Sequence, residues 1–167
     1  MNETTEAIMD AAEVRIRAGG YDGFSFRDLA GDVGVKSASV HYHFPTKETL
    51  AAAVARRYKE RFLAAVEQDI AAGSDVVAAW KAGFRRALKG DGGMCLCGTL
   101  GATAGVLPDE VLAEARAFFE SGLTQMTTHG LTPAKAVQVL ATLEGAMLLA
   151  TVLQRPAAFD EATAAFD

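Results

Sequence analysis

Apolar residues at Ile8, Ala11, Ala12 and Ile16 follow the i, i+3, i+4, i+8 spacing of one helix face and predict a first helix over about Thr4 to Arg17. Gly19 and Gly20 end it. In the stretch Phe24-Ser25-Phe26-Arg27-Asp28-Leu29-Ala30, Ser25 is placed to cap a short helix. Asp28, three residues on, completes a box-like start, and Leu29, Ala30 and Val33 turn inward. Gly34 stands where a tight helix-to-helix turn needs positive φ, with Val35 as an apolar plug after it. A second short helix spans about Lys36 to Phe44, and Pro45 breaks it. Thr46 then caps a long helix from Lys47 through Leu50, Val54, Tyr58, Phe62, Leu63 and Val66 to about Ala71.

Beyond Gly73 the same period predicts helices over about Asp75 to Lys89, Met94 to Ala104, Pro108 to His129 and Pro133 to Gln154. Breaks at Gly90 to Gly93, near Gly105 and at Gly130 separate them. The last opens on Thr132-Pro133, a cap and a first-turn proline, and carries Val137, Leu140, Ala141, Glu144, Leu148 and Val152 along one face. A short helix or frayed tail follows Pro156, and no stretch alternates with a strand period. Composition agrees: half of the 167 residues are hydrophobic, only 8% are aromatic, and alanine is abundant, which suits close-packed helices. The expected fold is all-α, with a core large enough for one domain or two small subdomains.

Charge is uneven. Residues 1–61 hold nine Lys/Arg and nine Asp/Glu, so the whole formal net charge of −5 arises beyond them. An acidic remainder is compatible with a DNA contact made by the N-terminal part alone, because attraction to phosphate is screened within about 10 Å at ordinary salt. No apolar run approaches the roughly 18 to 20 residues that cross a bilayer, and the acidic N-terminus lacks a signal-peptide layout, so the chain is read as cytoplasmic with no membrane partner.

Two short helices around a glycine turn, between two longer ones, have the layout of a helix-turn-helix head. The string FSFRDLAGDVGVKSASVHYHFPTKETL, from Phe24 to Leu50, resembles the N-terminal domain of the TetR family of bacterial repressors. The resemblance covers about residues 4–60. It departs from the family in the first helix, where Glu13 and Arg15 replace usual apolar residues. It implies a three-helix DNA-binding domain over 1–48 and a helical ligand-binding and dimerisation domain over 49–167.

In such a head the second short helix offers Lys36, Ser37, Ala38, Ser39 and His41, small or polar side chains that allow close approach to base edges in a major groove. Val40 and Phe44 point inward. The resemblance implies phosphate contacts for Tyr42 and Lys47 and adds His43 to the DNA-facing set. Ser25, at a helix start, has a hydroxyl and an amide for another phosphate, or serves only as a cap. His41 and His43, two residues apart, lie on different helix faces, which argues against shared metal binding.

The resemblance also implies an unidentified small-molecule effector, a homodimer through the last two long helices, and an operator of double-stranded DNA with dyad symmetry that is released on ligand binding. Trp80, Phe84, Cys95, Leu96, Leu100, Phe118, Phe119 and Met147 are candidate pocket residues, although such stripes also describe ordinary core. Cys95 and Cys97 read as two small buried hydrophobes. The alternative is an exposed thiolate sensor beside Gly92, Gly93 and Gly98, or soft-metal ligands with His129. No phosphate loop, nucleophile elbow, catalytic triad or paired metal motif is present, so no cofactor or enzyme activity is expected. A helical scaffold would account for the amphipathic helices but not for the small, polar outer face of the recognition helix.

Overall fold

The computed structural model describes residues 3–90 and 93–166. Nine α-helices and three single 3₁₀ turns make up its regular structure, with no strand among the described residues. The helices are α1 (Glu3–Gly19), α2 (Phe26–Val33), α3 (Ser37–His43), α4 (Lys47–Ala71), α5 (Val76–Lys89), α6 (Leu96–Gly101), α7 (Asp109–Thr128), α8 (Pro133–Val152) and α9 (Ala157–Thr163).

The predicted boundaries agree with these to within two residues, with one exception. Met94 to Ala104 was expected as one helix, and only α6 forms, followed by a 3₁₀ turn at Ala104–Val106. Gly98, Gly101 and Gly105, with Thr99 and Thr103 between them, are weak helix formers and leave too little propensity to carry the helix further. Gly92, named beside the cysteines, lies outside the described residues.

The chain divides into two compact units, Met1–Tyr58 with Leu96–Arg116, and Lys59–Cys95 with Ala117–Asp167. In the first, Ile8, Ala12 and Ile16 of α1, Leu29 of α2, Val40 of α3 and Leu50 and Val54 of α4 are all fully buried. The charged residues Glu13 and Arg15 of α1 have partners. Arg15 pairs with Asp32 of α2, and Glu13 lies 3.4 Å from Arg57 of α4, which also holds Glu6 and Asp10 at 2.7 Å. Ion pairs therefore tie α1 to α2 and α4 at these two positions.

The second unit is built around Phe62, Trp80, Phe84 and Phe118, with the Phe62 ring 5.2–5.5 Å from each of the other three. The Trp80 ring lies against the backbone of α7 at Gly122, where a Cβ would sit 2.5 Å from a ring carbon. α8 packs on α5 and α9, and its Ala136, Val139, Leu143, Ala146 and Met147 are buried.

α8 corrects one expectation. It is long and apolar enough to cross a membrane by length and composition, because Lys135 and Glu144 are the only charges in its 20 residues. Its alanines and threonines, spread among the larger apolar residues, hid that length in the sequence. Its buried face is that of a core helix.

Candidate nucleic-acid interface

Ser25 caps α2 in extended backbone, accepting from the Asp28 amide at 3.2 Å, while the Ser25 amide and hydroxyl donate to Asp28 Oδ2 at 3.0 and 2.6 Å. These bonds, the hydroxyl's first, hold the Asp28 carboxyl below its usual range. The expected capping box is therefore complete, and both donors offered to a phosphate by Ser25 are already engaged. α2 ends at Gly34, whose φ of 74° lies in the left-handed region that an L side chain adopts only under strain. That residue sends the chain directly into α3 after Val35.

α3 is two turns long and divided by side. Val40 and Phe44 are buried and fix the helix to the head. Lys36, Ser37, Ala38, His41 and Tyr42 are exposed, Ser39 and His43 half-buried. Tyr42 is 85% exposed, so it does not serve the core. The His41 ring stacks edge-on to Phe26 at 4.6 Å, which limits its freedom while leaving it at the surface. His43 differs from its neighbours: its Nδ1 lies 3.2 Å from the Thr5 hydroxyl of α1, a contact that holds the end of α3 to the first helix.

Lys47, at the first turn of α4, is not a loose surface cation. Its Nζ stands 4.7 Å from the centre of the Tyr21 ring and 4.8 Å from that of Phe24, with Asp22 Oδ1 at 3.9 Å. Tyr21 is fixed in turn by Glu48: burial and that carboxylate's hydrogen bond push the phenol up to about 12. Nothing in the periodic pattern marked Tyr21, which lies in the 3₁₀ turn between α1 and α2. Arg27, exposed in the first turn of α2, was also not singled out, though a basic residue beside a helix N-terminus is a simple signal for phosphate.

The candidate effector residues are divided between the two units. Trp80, Phe84 and Phe118 are fully buried against one another, and Cys95 and Met147 are fully buried with the Cys95 amide on the Met147 sulfur at 2.8 Å. Leu96 and Leu100, also buried, belong to the other unit. Of the set, Phe119 lines an open groove, together with Leu123, Val137, Leu140, Ala141 and Glu144. Both cysteines are buried without a disulfide, and His129 pairs with Glu67 at 3.5 Å. The described residues contain no cluster of metal-ligating side chains.

Residues 8–54 match the family described as bacterial regulatory proteins, tetR family. No curated protein gives a significant sequence match. Among solved structures, a TetR-family transcriptional regulator from Agrobacterium tumefaciens is 28% identical, with a TM-score of 0.88 over 98% of this chain and 95% of its own. A TetR transcriptional regulator from Legionella pneumophila is 29% identical, with a TM-score of 0.86 over 97% and 94%. The reduced form of NemR from E. coli, 19% identical over 98% and 94% with a TM-score of 0.78, shares the fold.

Proposed function

We infer that this chain, a DNA-binding transcriptional regulator of the tetR family by its N-terminal head, is a cytoplasmic repressor that holds a palindromic operator as a homodimer and releases it when a small molecule binds. The observation that carries this reading is the two-sidedness of α3. Val40 and Phe44 anchor the helix, while its outer side presents side chains small enough to enter a major groove. In this reading residues 1–48 read DNA and residues 49–167 bind the effector and dimerise.

Ser37, Ala38, Ser39 and His41 face bases, with Lys36 at the helix start beside them. Tyr42, Lys47 and Arg27 face phosphates. Such contacts set register without specifying sequence. Ser25 acts chiefly by orienting α2, and reaches a phosphate only by exchanging its bonds to Asp28. His43 sits at the edge of the surface, tied to Thr5.

For the dimer, support comes from α8, where Val137, Leu148, Leu149 and Val152 are each more than half exposed. An unpartnered apolar side of this kind is what an isologous helical pairing covers. The effector is an apolar or amphiphilic small molecule held by the second unit, among residues such as Trp80, Phe84, Phe118 and Phe119.

Selection of genomic fragments by the purified protein tests the reading. Recovery of a dyad-symmetric site, with half-sites about one helical turn or somewhat more apart and a steep fall of affinity with salt, is the expected result. Retention of no fragment above bulk DNA would overturn it.

A further inference from the structure

The groove between α7 and α8 has a volume of about 230 Å³ and five apolar lining residues, Phe119, Leu123, Val137, Leu140 and Ala141. The sixth is Glu144. Its Oε1 is shielded from solvent and has no hydrogen-bond partner, and the Cys95 thiol bonds to the carboxyl. Phe119 and Leu123 face it from α7, and Val137, Leu140 and Ala141 accompany it on α8. The Cys95 thiol is the titratable group that bears on it. Lys135, the other charge of α8, is engaged with Gln138 and the Phe166 ring. Burial pushes the Glu144 carboxyl up to about 7, against the smaller opposite pull of the thiol's hydrogen bond.

This groove belongs to the unpartnered apolar side of α8, flanked by Val137 at one end and Leu148, Leu149 and Val152 at the other. Between them stand Ala141 and Gly145, and a Cβ placed on Gly145 would meet nothing within 4 Å, so the backbone there is open to another helix. Two copies related by a two-fold axis would bring equal faces together, and the α8 stripe offers no cation to neutralise a carboxylate.

Resting on the reading that α7 and α8 form the dimer, we propose that Glu144 makes dimerisation proton-linked, entering the interface of a second copy as the neutral acid. An unpaired carboxylate taken into such an interface loses its remaining water and gains no partner, whereas the neutral acid loses much less. Each protomer then takes up a proton on association wherever its free carboxyl is ionised. The dissociation constant stays nearly flat below the free-protomer value near 7 and rises above it, by up to a hundredfold per pH unit for two sites.

Sedimentation equilibrium of the full chain at pH 6.0 and 8.5 tests this, for the wild type, Glu144→Gln and Cys95→Ala, with circular dichroism to verify folding. The wild-type dimer should weaken at least tenfold at pH 8.5. Glu144→Gln should keep the wild-type pH 6.0 affinity at both values. Cys95→Ala, lacking the donor that favours the charged form, should shift the weakening to higher pH. A wild-type dimer whose affinity changes less than twofold would overturn the proton link and leave the dimer standing. So would a Glu144→Gln dimer weaker than wild type at pH 8.5, which would reveal a cation supplied by the second copy. A chain monomeric at both pH values would overturn the dimer reading, and the proton link with it.

Discussion

The Lys47 ammonium lies 4.7 Å from the centre of the Tyr21 ring. A lysine held on an aromatic face keeps its charge at the surface while losing little further freedom when a phosphate arrives, so its contact with DNA should be strong for a single residue. Lys47→Ala and Tyr42→Phe are expected to weaken operator and random DNA alike, with the Lys47 change lowering the salt slope by about one. Ser37→Ala and His41→Ala should instead alter base preference. Binding isotherms on both DNAs across a salt series check this division; equal effects from all four variants on both DNAs would refute it.

Arg57 is 12% exposed and faces three carboxylates of α1, of which Glu13 is similarly buried. Glu6 and Asp10 are well exposed, so their share is screened. Removing the guanidinium takes one cation from Glu13 in a poorly solvated place and opens a gap where Arg57 packs, and Arg57→Ala is expected to cost about 2 kcal/mol by urea titration. Arg15→Ala, at the more exposed pair with Asp32, should cost clearly less. The reverse order would mean that the Arg57 cluster is not what joins α1 to α4.

Most of this architecture was legible in the sequence because helix period and caps are local signals. Ser25 with Asp28, Gly34, and Thr132 with Pro133 each mark a boundary within a few residues of chain. What was not legible depends on distant partners. Glu13 and Arg15 stand out in the sequence only as departures from the resemblance, because their partners Arg57 and Asp32 lie far along the chain. The residues around Lys47 come from a turn with no periodic pattern. In the C-terminal part, composition could not separate a ligand pocket from core, since clustered aromatic rings such as Trp80, Phe84 and Phe118 serve either use.

Ser25 separates a structural from a contact role. With both donors bound to Asp28, Ser25→Ala should lower stability by about 1 kcal/mol, the usual loss for an N-cap. The affinity of the folded protein for operator, measured well below its melting temperature, should change less than twofold. A larger loss in fully folded protein would assign the hydroxyl to a phosphate.

Cys95 and Cys97 have no exposed surface. A thiol reagent reaches such groups only when the structure opens, so native protein should show no rapid reaction, and two thiols should titrate in denaturant. Stoichiometric labelling of either thiol within seconds under native conditions would restore a sensing role.

Gly122 sets two effects against each other. Alanine is the better helix former by about 1 kcal/mol, so propensity alone predicts that Gly122→Ala stabilises α7. The new Cβ would stand 2.5 Å from the Trp80 ring, however, and that ring has little room to retreat. Phe62 and Phe118 lie 5.2 and 6.1 Å from it, and its Nε1 donates to Gln125 at 3.2 Å. Overpacking of a rigid ring costs about 1–3 kcal/mol, which outweighs the propensity gain. Gly122→Ala should therefore lower stability, and because Trp80 is the only tryptophan, its fluorescence reports the displacement directly. A more stable variant with unchanged emission would show that the ring has space to move.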